Sequence, residues 1–414
     1  MGSLRLIDNA AIWTAGIPNG WQLVQLKHVV TKLNRVPNED DPVLICTNKG
    51  TVIPRDEGNP GLISLTNAGY QGVEPGDLLI HGMDTWHGAI AVSSIRGQCT
   101  SVVHVCDSSQ DKRFIAYYLR ALAFRGVYKA FSNGVRQNTS DFRSWVKAGE
   151  IPLILPTIEE QRHIADCLDA KCADIDEAIQ SAENSISDYK SYLQARLYQM
   201  VTKGLDPAVA LEKTRLEWIE SAPTHWEIAP HKRTMRKIKR LCDHWAGEPV
   251  LSLTTNGVIV RDIASGKGKF PATFDGYQYI SAGNLVLCLF DVDVTPRCVG
   301  LAKQGGVISP AYSQFEMLDG AYAPYYDYYL RAMDDQKLYV HLTSTLRHSF
   351  TEDTFGMIPA LRPPFEEQVR IAAYLDDFCS NVDRLINAKQ SIIDDLKAYK
   401  QSLIYETVTG KREV

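Results

Sequence analysis

Two kinds of apolar pattern alternate along the chain, and each occurs twice. From Thr157 onward, Leu168, Cys172, Ile175, Ile179, Ala182, Ile186, Tyr189, Leu193 and Met200 mostly follow 4-3 spacing, the seam of a heptad helix. Thr157 with Glu160 three residues on forms a capping box, and no Gly or Pro interrupts the run before Gly204. The same phase returns in Leu375, Cys379, Val382, Ile386, Ile393, Leu396 and Leu403. A helix of about 45 residues is about 65 Å long. A one-sided apolar stripe of that length needs a partner, so the two helices are expected to pack on each other through these positions. The connecting links are short, which predicts an antiparallel pair related by an approximate two-fold axis.

The remaining pattern is different. Short β-rich runs such as Pro42-Val43-Leu44-Ile45-Cys46 and Asp77-Leu78-Leu79-Ile80 are punctuated by Gly and Pro, as expected of strands joined by turns. The second run has a counterpart in Gly283-Asn284-Leu285-Val286-Leu287-Cys288-Leu289. Tyr117-Tyr118-Leu119-Arg120-Ala121 recurs as Tyr328-Tyr329-Leu330-Arg331-Ala332, a predicted helix. The fold class is therefore α+β, with two globular domains separated by two long antiparallel coiled-coil helices.

The two halves are an internal repeat. Ile151-Pro152, Pro156, Glu159-Glu160-Gln161, Ile164-Ala165 and Leu168-Asp169 return as Ile358-Pro359, Pro363, Glu366-Glu367-Gln368, Ile371-Ala372 and Leu375-Asp376. The register holds without a gap to Val201-Thr202 and Val408-Thr409, with about 20 of about 50 positions identical. Residues 1–156 form a first globular domain, 157–202 the first helix, 203–221 a linker, 222–363 a second globular domain and 364–410 the second helix. Connectors that stay alike while the domains diverge suggest one scaffold presenting two different readers.

Composition narrows the classes. The apolar fraction of 45% is that of a folded chain, and no apolar stretch approaches a membrane span. The start, Met1-Gly2-Ser3-Leu4-Arg5-Leu6-Ile7-Asp8, lacks the apolar core of a secretory signal. Nine scattered cysteines with no Cys-x-x-Cys read as reduced thiols, which places the chain in the cytoplasm. The net charge of −5 conceals an uneven distribution.

His231 to Arg240 packs six cations into ten residues: Lys232, Arg233, Arg236, Lys237, Lys239 and Arg240. As a helix it would place Lys232, Arg236 and Lys239 on one face and Arg233, Lys237 and Arg240 on the next. Such a strip adds salt-sensitive affinity for phosphates; the bland reading is a solvated surface helix. The first domain offers Arg113, Arg120, Arg136 and Arg143 interleaved with aromatics that suit a core better than base stacking. Lys267, Lys269 and Arg347 complete the candidate DNA-binding set. Between Glu159 and Asp188 the first helix carries nine acids against Arg162 and Lys171, which suits either basic partner proteins or simple solubility.

Catalytic signatures are missing from the sequence. Arg362-Pro363-Pro364-Phe365 is similar to the Asn-Pro-Pro-Tyr-type loop of amino-methyltransferases, but an arginine cannot accept the hydrogen bond that loop requires. Gly266-Lys267-Gly268-Lys269 lacks P-loop spacing, and Asp335-Gln336-Lys337 lacks the upstream acid of a nuclease metal site. His81, Asp84 and His87 fit turn or core roles better than a metal site. No cofactor or metal site is expected in this chain.

The connectors resemble those of specificity subunits of type I restriction-modification systems. The resemblance rests on Pro18/Trp21 and Pro223/Trp226, on Lys203-Gly204-Leu205-Asp206-Pro207 with Leu216-Glu217-Trp218-Ile219, on the Glu-Glu-Gln openings of both helices, and on Val408-Thr409-Gly410-Lys411. It implies that the globular domains are two target-recognition domains, each reading one half of a split site in double-stranded DNA. It implies that the helices set the spacer and seat two modification (methyltransferase) subunits, which carry S-adenosylmethionine, and that restriction/translocase subunits join these. The specificity subunit would itself be non-catalytic. Because the two domains differ, the target would be asymmetric. The other readings are a stand-alone DNA methyltransferase or nuclease, and a coiled-coil adaptor that binds no DNA.

Overall fold

A computed structural model describes residues 17–56, 69–128, 142–263, 271–343 and 347–414. The chain packs as two units. The first comprises residues 1–183 with 391–414, and the second residues 184–390. Four helices organise them: α1 (Lys112–Phe124), α2 (Ile158–Lys203), α3 (Ala323–Asp335) and α4 (Phe365–Val408).

In the first unit an antiparallel sheet runs in the order Val30–Lys32, Val103–Ser108, Leu78–His81, Ile90–Val92. Alternation along its strands fills two cores. Leu78, Ile80 and Cys106 pack with α1 residues Phe114, Tyr118 and Leu122, while Leu79, Ala91 and Val105 pack with Leu44, Cys46 and Cys99 on the other face. Both faces are covered, which is why the strand Leu78-Leu79-Ile80 reads as a continuous apolar run. The second unit repeats the plan with strands Met235–Ile238, Ser313–Met317, Leu285–Leu287 and Val299–Leu301. Leu285 and Leu287 join α3 in one core, and Val286 and Cys288 join Leu251 and Ile308 in another. A further four-stranded sheet there contains one parallel pair, Val250–Thr254 with Gly306–Ile308. Within the stretch expected as a linker, Leu211–Leu216 and Ile219–Pro223 form a bulged hairpin.

The long helices pair antiparallel inside each unit. In the first, Lys400 contacts Asp176 at 2.7 Å and Lys397 contacts Glu183 at 3.8 Å, so one number falls as the other rises. In the second, Tyr192 meets Phe378 edge-on and Arg196 reaches the hydroxyl of Tyr374. Leu168, Ile175, Leu193, Leu375, Val382 and Ile393 are buried, and Ile179, Ile186, Ile386 and Leu396 half-buried, as the heptad spacing requires.

The residues common to both repeats turn inward. Gln161 and Gln368 are fully buried. The Gln161 amide nitrogen donates to Pro156 O and Gln110 Oε1, and its oxygen accepts Asp111 N–H, the N-cap of α1. Gln368 donates to Pro363 O and Gly320 O and accepts Tyr322 N–H, the N-cap of α3. The indoles of Trp21 and Trp226 donate to Glu160 and Glu367. Gly410 adopts φ 68°, and a Cβ there would lie 2.2 Å from Pro18 Cγ, so the end of α4 closes on the start of the first unit. Gly204 does the same beneath Trp226 in the second. The stretch from Arg362 to Phe365 is the lead-in to α4. All nine cysteines are free, and no described helix is long and apolar enough to cross a membrane.

Candidate nucleic-acid interface

The basic run in the second unit is not a helix. His231–Arg233 is a single 3-10 turn, and Met235–Ile238 is the edge strand of the sheet, hydrogen-bonded to Ser313–Met317. Met235 points into the core while Arg236 and Lys237 are exposed, so the cations line a charged sheet edge, a common device against edge-to-edge pairing. Three of the six have acidic partners: Arg233 with Glu227 at 3.4 Å, Arg236 with Glu316, and Lys237 with Glu352 at 2.6 Å. The hydrogen bond from Lys237 holds the Glu352 carboxyl below its usual range. Lys232, Lys239 and Arg240 are exposed and have no acidic partner among the described residues. These three are the exposed cations of the run that no described carboxylate neutralises.

His231 opens this segment from within the core. It is fully buried, stacks on Phe355 at 4.8 Å, and its ring nitrogens lack hydrogen-bond partners. Burial pushes its pKa down to about 3.

The first-unit candidates separate by environment. Arg113 is clamped by Asp111, Asp166 and Asp169, the last two at 2.8 Å, and ties α1 to α2. Arg120 is buried; its Nη2 donates to Lys49 O at 2.8 Å, and its guanidinium lies 5.5 Å from the Phe124 ring centre. Burial pulls its pKa down. Arg113 is thus a half-exposed cation held by three carboxylates and Arg120 a buried one, so neither is a free surface charge. Arg143 is exposed, with Nη2 2.8 Å from Met83 Sδ, and Arg347 is exposed. Arg136, Lys267 and Lys269 lie outside the described residues.

Two first-unit lysines match this run by repeat position, which charge density alone does not reveal. Trp21 and Trp226 occupy equivalent positions, and the same offset carries Lys27 onto Lys232 and Lys32 onto Lys237. The packing agrees. A Cβ on Gly149 would lie 2.9 Å from Lys27 Cβ, and one on the equivalent Gly356 would lie 3.5 Å from Lys232 Cβ. Lys27 and Lys32 are exposed without acidic partners among the described residues. His81 and Asp84 form a turn in which His81 Nδ1 accepts Asp84 N–H at 3.0 Å, and Lys337 pairs with Asp334 at 2.9 Å to anchor a loop through Thr295 O. Both are structural arrangements, and no group of three or more metal-ligating side chains occurs among the described residues.

Comparison with solved structures finds this architecture elsewhere. A chain from a structure describing complex assembly and conformational transition of the type I R-M system superposes with a TM-score of 0.70 at 16% identity, covering 96% of this chain and 99% of that one. The HsdS subunit from Thermoanaerobacter tengcongensis gives 0.50 at 16% identity, covering 96% and 98%. The fold is that of an HsdS subunit. No protein-family model and no curated protein matches the chain. The likeness to HsdS is one of fold, at 16% identity.

Proposed function

We propose that the chain is the DNA-specificity subunit of a type I restriction-modification complex, acting in the cytoplasm. The observation that carries this is an HsdS fold spanning 96% of this chain, in which the two repeats present an exposed cation without an acidic partner among the described residues at one equivalent position, Lys27 and Lys232, with Lys32 further along the first repeat and Lys239 and Arg240 further along the second. Each globular domain reads one half of a split, asymmetric duplex site. Cations contact phosphates and fix register; groove-facing side chains choose bases. The lengths of α2 and α4 set the unread spacer. The acidic helix surfaces seat two modification subunits, which bring S-adenosylmethionine and the methyl-transfer chemistry, and restriction/translocase subunits join through them. The chain itself recognises and does not catalyse.

The test is binding and methyl transfer with purified components. Sequence-selective, salt-sensitive binding to duplex DNA is expected, with methyl transfer only when modification subunits are added. Methyl transfer by the chain alone would favour a stand-alone enzyme, and absence of duplex binding by the assembled complex would favour an adaptor.

A further inference from the structure

In each unit the sheet hairpin ends in a loop pressed against the segment that follows the domain helix. In the second unit this loop joins Leu285–Leu287 to Val299–Leu301. Phe350 N–H donates to Leu289 O at 2.7 Å, Val292 N–H to His348 O at 3.1 Å, and Asp291 N–H to Ser349 Oγ at 3.2 Å. Asp291 and His348 both adopt positive φ, 49° and 43°, a backbone that non-glycine residues keep only when their surroundings impose it. The loop is therefore tied to this segment by three hydrogen bonds, yet Phe290 is 41% and Val294 73% exposed, and Arg347, next to His348 in the chain, is exposed as well.

The first unit builds the same junction from other residues. Its loop joins Leu78–His81 to Ile90–Val92. Gly82 N–H donates to Val102 O, and a Cβ on Gly82 would lie 3.0 Å from both Phe142 O and Arg143 Cα. Arg143 reaches Met83, and His87 is exposed with Asp84 beside it.

We propose that these two loops, each with its flanking arginine, are the base-reading elements. The proposal rests on the specificity-subunit reading and adds the residues that read. Both junctions supply an arginine able to bond guanine O6 and N7. They differ in everything else. Asp84 and His87 offer hydrogen bonds in one; Phe290 and Val294 offer apolar contact to thymine methyl groups in the other, with Asp293 able to accept from a base amino group. Loops tied down by hydrogen bonds lose less freedom on binding than free ones, which favours a side-chain-specific readout. In the second unit, Glu352, five residues beyond Arg347 in sequence, pairs with Lys237 of the basic edge strand.

Selection from randomised duplexes by the chain assembled with modification subunits tests this. Arg347→Gln, Val294→Asn and Phe290→Ala should each relax preference at one or two adjacent base pairs of a single half-site by about 5- to 100-fold. The other half-site should be unchanged. Arg143→Gln and His87→Ala should act on that other half-site. Val294 and Arg347 are exposed, so their variants should melt as the wild type does. Unchanged motifs in all three second-unit variants would overturn the proposal, as would parallel loss at both half-sites with a lowered melting temperature. A wild-type complex that selects no split sequence would instead overturn the specificity-subunit reading beneath it.

Discussion

Gln368 accepts the backbone N–H of Tyr322 at 2.8 Å, and through this bond the opening of the second long helix caps the start of the domain helix α3. Gln161 and Asp111 repeat the relationship in the first unit. The Glu-Glu-Gln motif is therefore a joint between scaffold and domain. Tyr117 to Asp169 and Tyr328 to Asp376, both at 2.7 Å, add a second joint of the same design.

Gln368→Ala should destabilise its unit by about 2–4 kcal/mol, because it leaves a half-buried N–H and two carbonyls without their partner. For units of about 200 residues this is a fall of several degrees in melting temperature, measurable by calorimetry. Gln161→Ala should do the same through the first unit.

Arg120→Met should affect stability without affecting DNA affinity. The guanidinium is an internal strut, and Gly50, at φ 80°, leaves room for it; a Cβ there would lie 2.3 Å from its central carbon. Gly50→Ala should therefore also lower the melting temperature. A weaker salt dependence of DNA binding in Arg120→Met would return this residue to the interface.

Lys232→Gln, Lys239→Gln and Arg240→Gln should weaken binding equally for all sequences. Each should reduce the slope of log affinity against log salt by about 1. The same is expected of Lys27→Gln and Lys32→Gln. A change in preferred bases would mean that these cations read sequence.

His231 makes acid tolerance testable. Its pKa is about 3 in the folded chain against 6.5 for the free group. Above pH 6.5 both states are neutral and folding carries no penalty. As pH falls below 6.5 the unfolded state takes up a proton that the folded state refuses, so stability is lost at up to about 1.4 kcal/mol per pH unit until the folded pKa is reached. The equivalent position in the first unit is Leu26, also buried. His231→Leu should flatten the fall in melting temperature between pH 6 and pH 4, with the remaining slope owed partly to buried His104.

The scaffold was legible because its signal is periodic and local. The heptad positions, the capping of α2 at Thr157 and the antiparallel pairing all follow from spacing and short connections. The basic run misled because its spacing fits a helix face, Met235 is the one buried apolar residue in the strand, and the strand state depends on Ser313–Met317, some 80 residues away. Arg113 and Arg120 look like free surface charges on α1; the carboxylates of α2 pair the first, and the turn at Lys49 holds the second inside. Lys27 and Lys32 lack local density, but extending the repeat alignment back from Trp21 and Trp226 would have found them.

Mapping methylated bases in the genome of a cell that carries this chain with its modification subunits tests the central claim most directly. The account predicts a split motif whose two parts differ in sequence and are separated by a fixed number of unread base pairs. An uninterrupted motif, two identical half-sites, or a pattern unchanged when the chain is deleted would contradict it.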